Sequence, residues 1–139
     1  METLATVKKE QNISIVQKAY AEFAKGNIPG ILENCTDDIT WSSFDNSPVP
    51  FAGTFNGKRG VADFFAALGG SVDYTEFQPK EFFADADKVF AKGYHKAKVK
   101  STGKTFGHEF LMEFSLRDGK VFSFFAWVDS RDEAAAFTK

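Results

Sequence analysis

Two histidines, one cysteine and a set of carboxylates are the side chains here that could move a proton near neutral pH or hold a metal. His95 and His108 stand in runs where apolar and polar residues alternate. If those runs form a β-hairpin, both imidazoles fall on one apolar face, diagonal to each other. His108 in such surroundings is the candidate general base, a role that calls for a pKa near neutrality. The same residue can also be held by a loop carbonyl with no chemical role. Two imidazoles so placed can share a proton or a polar group of a ligand. Asp129 ends the last strand-like run; it can pair with His108 and raise its basicity, or cap the helix that follows. Tyr20 sits on the apolar side of the first helical segment, its hydroxyl free to enter a cavity or to be packed away. Cys35 is far in sequence from both histidines, so three metal ligands do not assemble, and neither metal nor cofactor is expected. There is no phosphate-binding glycine loop, nucleophile elbow or Cys-His signature.

Aromatic residues are the second unusual stock. The 139 residues include 17 Phe, and aromatics make up 16%. That exceeds what a minimal core needs and implies extra apolar surface, either a ligand pocket or an interface, unless the core is simply Phe-rich. Trp41, Phe44 and Phe51 read as pocket walls. Phe64 joins them from a helix, and Phe110, Met112, Phe124 and Ala126 from the strands.

The elements that must position these residues follow from periodicity. Ile13, Val16, Tyr20 and Phe23 recur at helical spacing, with Asn12 as a start and Gly26 as a stop. A short helix follows with Pro29 in its first turn, then a brief strand at 39–41. The loop 42–57 carries Phe44, Phe51 and Phe55 and is apolar enough to pack down over something. Val61, Phe64, Phe65 and Leu68 form a third helix that ends at Gly69-Gly70. From Val72 the period changes to two, giving strands at 72–83, 89–100, 105–116 and 121–128. Ser130 with Glu133 resembles a capping box for a last helix. Helices followed by an antiparallel meander make an α+β layout.

Hairpin registers decide which side chains meet. A two-residue turn at Thr102-Gly103 sets Glu109 against Lys96 and Glu113 against Lys92. A three-residue loop at Arg117-Asp118-Gly119 puts Phe124, Ala126 and Val128 on the pocket face; a two-residue turn would reverse this. Tyr94, Leu111, Phe125 and Trp127 then share the opposite face. Such an exposed patch marks an interface, and a homodimer through it is expected.

Composition bounds the rest. The net charge is -2, with no basic excess to hold nucleic acid. No apolar leader and no run near ~18 apolar residues is present, so a cytoplasmic protein without membrane contact is expected. The length fits one domain over 1–139, ordered from about 12 to 137.

The order of elements resembles the nuclear transport factor two-like superfamily, and within it the SnoaL-like polyketide cyclase and ketosteroid-isomerase-like group. The likeness rests on Tyr20-Ala21-Glu22-Phe23 with Lys25-Gly26-Asn27, on Asp37-Asp38-Ile39-Thr40-Trp41, and on Phe55-Asn56-Gly57. It continues in Gly103-Lys104-Thr105-Phe106-Gly107-His108-Glu109-Phe110 and from Arg117-Asp118-Gly119 to Asp129. It implies a cone-shaped α+β roll, with a curved antiparallel sheet wrapped around N-terminal helices. Ketosteroid isomerases need an aspartate base where Ser43 stands, a tyrosine where Ala19 stands, and a protonated aspartate where Met112 stands. Limonene-epoxide-hydrolase-like members use Arg and Asp on strands that carry neither here. SnoaL-like cyclases place a histidine and an acid at the sheet's mouth, which matches His108 and Asp129. The resemblance therefore implies a pocket for a small hydrophobic polyketide-, terpenoid- or steroid-like molecule, with isomerase or cyclase chemistry by proton transfer. A non-catalytic binding protein or a dimeric interaction module are the alternatives.

Overall fold

The computed structural model describes residues 3–139. Helix α1 (Leu4–Ala24) begins well before Asn12, because the Thr3 hydroxyl accepts from Thr6 N–H and supplies an earlier cap. Asn12 instead lies buried in mid-helix. Gly26, at φ +72°, stops the chain as expected of a left-handed residue after a helix. Helix α2 (Ile28–Glu33) is capped by Asn27, with Pro29 in its first turn. Helix α3 (Gly57–Ser71) runs through Gly69-Gly70, and strand geometry begins directly at Val72. Helix α4 (Ser130–Phe137) is capped by Asp129, not Ser130. That one-position difference in the cap decides the site described below. Among the described residues no helix is long and apolar enough to cross a membrane.

Six strands form one sheet in the order β2-β1-β6-β5-β4-β3. They are β1 (Cys35–Ser42), β2 (Thr54–Asn56), β3 (Val72–Asp85), β4 (Lys88–Val99), β5 (Thr105–Arg117) and β6 (Lys120–Trp127). The expected meander is β3 to β6. It is extended by β1, which lies parallel to β6, so the sheet is mixed rather than wholly antiparallel. Strand β2 arises inside the loop after β1 and pairs back on it. The rest of that loop is packed down: Val49 and Phe51 are buried beside Ala136, and Asn46 Nδ2 donates to Ser130 O at 2.7 Å.

Both predicted registers are off by two residues. The β4–β5 turn spans four residues, with Gly103 at φ +75°, and Val99 N–H donates to Lys104 O. His95 is therefore directly opposite His108, not diagonal to it. Lys88 and Lys92, not Lys92 and Lys96, meet Glu113 and Glu109. The β5–β6 turn has two residues, Asp118-Gly119, both at positive φ. That turn alone would have put Phe124 and Ala126 on the wrong face. A bulge at Phe122 between the Leu116–Val121 and Ser115–Ser123 pairs restores it.

The helices cover one face of the sheet. Val16, Ile39, Val61, Val89, Ala91 and Phe114 form the main core there, and Val49, Phe51, Leu68, Ala97 and Phe106 form a second cluster. On the open face Leu111 pairs with Trp127 across the strands and Phe125 packs on Trp127. Tyr94 is separate from them, lying over Gly107 opposite Glu109.

Candidate functional site

A cleft between α1, α3 and the sheet opens into two adjoining compartments of about 70 and 40 Å³. Phe64, Leu68, Tyr74, Met112 and Phe124 border both. The larger is walled by rings: Tyr20, Phe23, Trp41 and Phe77 line it, with Trp41 stacked on Phe124 at 3.9 Å between centroids. Its lining is almost wholly apolar, so it favours a ligand that gives up apolar surface. Tyr20 turns its hydroxyl inward and donates to Met112 Sδ at 3.0 Å. Burial raises that phenol far above its ordinary value. The smaller compartment holds the polar end. Ser42, Ser43, His95 and Glu133 line it together with Phe51 and Ala126.

His95 is 2% exposed and its Nε2 lies 2.9 Å from His108 Nε2. His108 Nδ1 lies 2.8 Å from Asp132 Oδ2, which also accepts from Gly107 N–H at 3.1 Å. A carboxylate can only accept, so His108 Nδ1 carries the proton. The two Nε2 atoms then share a single proton, and the chain Asp132–His108–His95 forms a continuous line of hydrogen bonds. Burial first, and then His108, push the His95 pKa down to about 3, so this ring is neutral at physiological pH. Asp132 retains 36% of its side-chain exposure and gives the line an outlet to solvent.

Glu133 is the second acid at this end. It is 5% exposed, and its Oε2 lies 4.0 Å from His108 Nε2. No hydrogen bond reaches its carboxyl among the described residues. Burial pushes its pKa up to about 8, helped by the charges of Asp132 and Asp129. It is therefore mostly a neutral carboxylic acid at pH 7, able to donate a proton into the pocket. Tyr74 borders the same space, and burial and Glu133 raise its phenol above the ordinary value.

Three expected site residues lie elsewhere. Asp129 does not meet His108: its Oδ1 accepts from Asp132 N–H at 3.0 Å, as a helix cap. Asp132 takes its place, three residues further on. Phe44 is on the open face of the sheet, edge-on to Phe125 and Trp127, because the chain leaves β1 on that side. Phe110 backs the wall instead of lining it, stacked on Phe77 and packed against His95. Trp41, Phe51, Phe64, Met112, Phe124, Ala126, His95 and Tyr20 border the cleft, whereas His108 reaches it only through His95. The expectation that three metal-ligand atoms do not come together is also overturned. His95, His108 and Glu133 each offer one atom, all within 4.8 Å of one another. The third donor comes from α4, whose role as a site element was hidden by the capping-box reading of Ser130 and Glu133.

A helix-covered curved sheet of this topology, with a ring-lined cleft, defines the nuclear transport factor two-like class. Residues 16–124 match the SnoaL-like domain model, and the chain belongs to that family. Among solved structures, a nuclear transport factor two-like protein of Burkholderia xenovorans LB400 is 28% identical, with a TM-score of 0.86 over 94% of this chain and 98% of that one. One of unknown function from Burkholderia pseudomallei K96243 is 21% identical, with a TM-score of 0.85 over 93% and 98%. TerC, co-crystallised with polyporic acid, is 24% identical, with a TM-score of 0.75 over 91% and 97%. No protein of curated function matches the chain.

Proposed function

We propose that the cleft is an acid–base site that moves a proton on a small, largely hydrophobic molecule of polyketide- or terpenoid-like shape, as an isomerase, cyclase or lyase does. The observation that carries this reading is the placement of a buried, uncharged carboxyl, Glu133, beside an imidazole pair at the polar end of a ring-lined cavity. Rings hold the body of the ligand, and an oxygen at its leading end meets Glu133. Glu133 protonates that oxygen. His95, which borders the cavity, takes a proton from the adjacent carbon at Nε2 as the proton between the rings passes to His108 Nε2, and Asp132 stabilises the His108 imidazolium so formed. The co-crystallisation of TerC with polyporic acid supports a pocket of this class for a small molecule. Small molecules extracted from the purified protein supply the substrate class to assay. Turnover by the native protein should fall by at least ~10²-fold in Glu133→Gln and His108→Ala, with binding retained. Binding without turnover in the native protein would make it a carrier rather than an enzyme.

A further inference from the structure

The proton-transfer reading leaves one feature of the polar end unexplained: three donor atoms from three elements lie within 4.8 Å of one another, and the Glu133 carboxyl among them accepts no hydrogen bond from the described residues. We propose that His95, His108 and Glu133 form a binding site for one divalent first-row transition metal of the zinc(II) class, with an open coordination position facing the cleft.

The geometry is close to what such an ion needs. Two imidazole nitrogens on one tetrahedral zinc, each at about 2.0–2.1 Å, lie roughly 3.3 Å apart. Here the two Nε2 atoms are 2.9 Å apart. Glu133 Oε2 is 4.0 Å from His108 Nε2, and all three donor atoms fit within 4.8 Å. Opening the imidazole pair by a few tenths of an ångström and drawing in one carboxylate completes three bonds. Asp132 already does what the outer partner of a metal-bound histidine does: it accepts from Nδ1–H and turns Nε2 inward. His95 is fixed by packing instead, its ring held among Tyr74, Phe77, Phe106 and Phe110. Its Nδ1 has no partner among the described residues, which places the affinity below that of a site with both histidines supported. Two nitrogens and one carboxylate suit zinc, cobalt, nickel or ferrous iron. Calcium and magnesium prefer oxygen-only shells. The fourth position is free for water or a ligand oxygen, because His95 and Glu133 both border the smaller compartment.

Binding balances simply. The proton between the imidazoles moves from His95 Nε2 to His95 Nδ1, and the carboxyl of Glu133 releases its own proton to solvent. Metal and proton thus compete for the same atoms. The loaded form cannot use Glu133 as an acid, so the two uses of the site exclude one another in any one molecule, and metal binding is read without substrate.

The test is a cobalt(II) titration of the chelator-treated full chain, followed by visible ligand-field absorption, with zinc(II) added afterwards as competitor. The expected result is saturation at one cobalt per chain and loss of the absorption on adding zinc. Glu133→Gln and His108→Ala should each weaken binding at least tenfold, and Asp132→Asn by about ten- to a hundredfold. Asp63→Asn, at a surface position on α3, should leave it unchanged. Circular dichroism establishes that each variant is folded. The near-isosteric Glu133→Gln keeps the test decisive if His108→Ala is not. No cobalt absorption in the native chain, or absorption that survives Glu133→Gln undiminished, overturns the proposal.

Discussion

Glu133 and His95 are the carboxyl and the imidazole whose surroundings most change their ionisation, and they act on stability with opposite signs. A carboxyl raised to about 8 in the fold ionises first in the unfolded chain. From about pH 4.5 up to 8 the unfolded state therefore binds fewer protons, and stability falls as pH rises. In chelator-treated protein, Glu133→Gln should raise the thermal midpoint at pH 8, with a gain that shrinks toward pH 5. A few kcal/mol is the scale to expect, since each pKa unit is about 1.4 kcal/mol. Thermal melts across that range check it, and a gain larger at pH 5 than at pH 8 would contradict the burial argument. His95, held neutral down to about 3, works the other way: the unfolded chain takes up a proton near 6.5, and stability is lost as pH falls below that. At this scale the sequence made the histidines legible, because alternation alone puts both on one face. The acids were not legible. Asp129 and Ser130 are both good caps, and the choice between them rotates the helix by one residue. One rotation aims Glu133 at the backbone; the other aims it at the pocket.

Elements hold these side chains in register, and two of them can be tested directly. Asp129 caps α4 and so sets the angle at which Asp132 and Glu133 enter the site. Asp129→Ala should cost about 0.5–2 kcal/mol in denaturant unfolding. It should also reduce ligand affinity, although Asp129 itself does not line the cleft. Unfolding with an unchanged midpoint would show that the cap does not fix α4. On β4, Gly93 has no room for a side chain: a Cβ would collide with the Gln78 carbonyl, the Phe110 ring and Pro79. Phe110 lies over that gap and supports His95. Gly93→Ala should therefore cost about 1–3 kcal/mol, as overpacking does, measured by chemical denaturation against the native chain. Strand positions were readable from period two, but registers were not. An error of two residues keeps every side chain on its face, so hydrophobic alternation cannot detect it. The bulge at Phe122 compensates for a turn one residue shorter than expected, so Phe124 and Ala126 face the pocket all the same. The parallel β1–β6 pairing leaves no local mark, because it joins residues far apart in the chain.

For the whole molecule, the open face of the sheet poses the main question. Trp127 is 44% exposed and Phe44 55%, and with Phe125 they form one aromatic cluster bounded by Leu111. We propose that a second copy of the chain covers this patch, with Tyr94 at its margin. The native chain should have the mass of a dimer in solution by light scattering, and Trp127→Asp should be a monomer with an intact fold. A monomeric native chain would remove this proposal without touching the cleft. The fold itself was legible because helix, helix, strand, helix and four period-two runs occur in an order that the SnoaL-like family shares. The chemistry was less so, since the polar end is assembled from β4, β5 and α4, which only the folded chain brings together.

Native mass spectrometry shows whether the cleft takes a small hydrophobic molecule. The native chain and Met112→Trp, which fills the wall common to both compartments, are incubated with a mixture of small ring ketones and phenols. One bound molecule per native chain and none on the variant is the predicted result. A native chain that binds nothing, or a variant that binds equally well, would show that the cleft is not a ligand site.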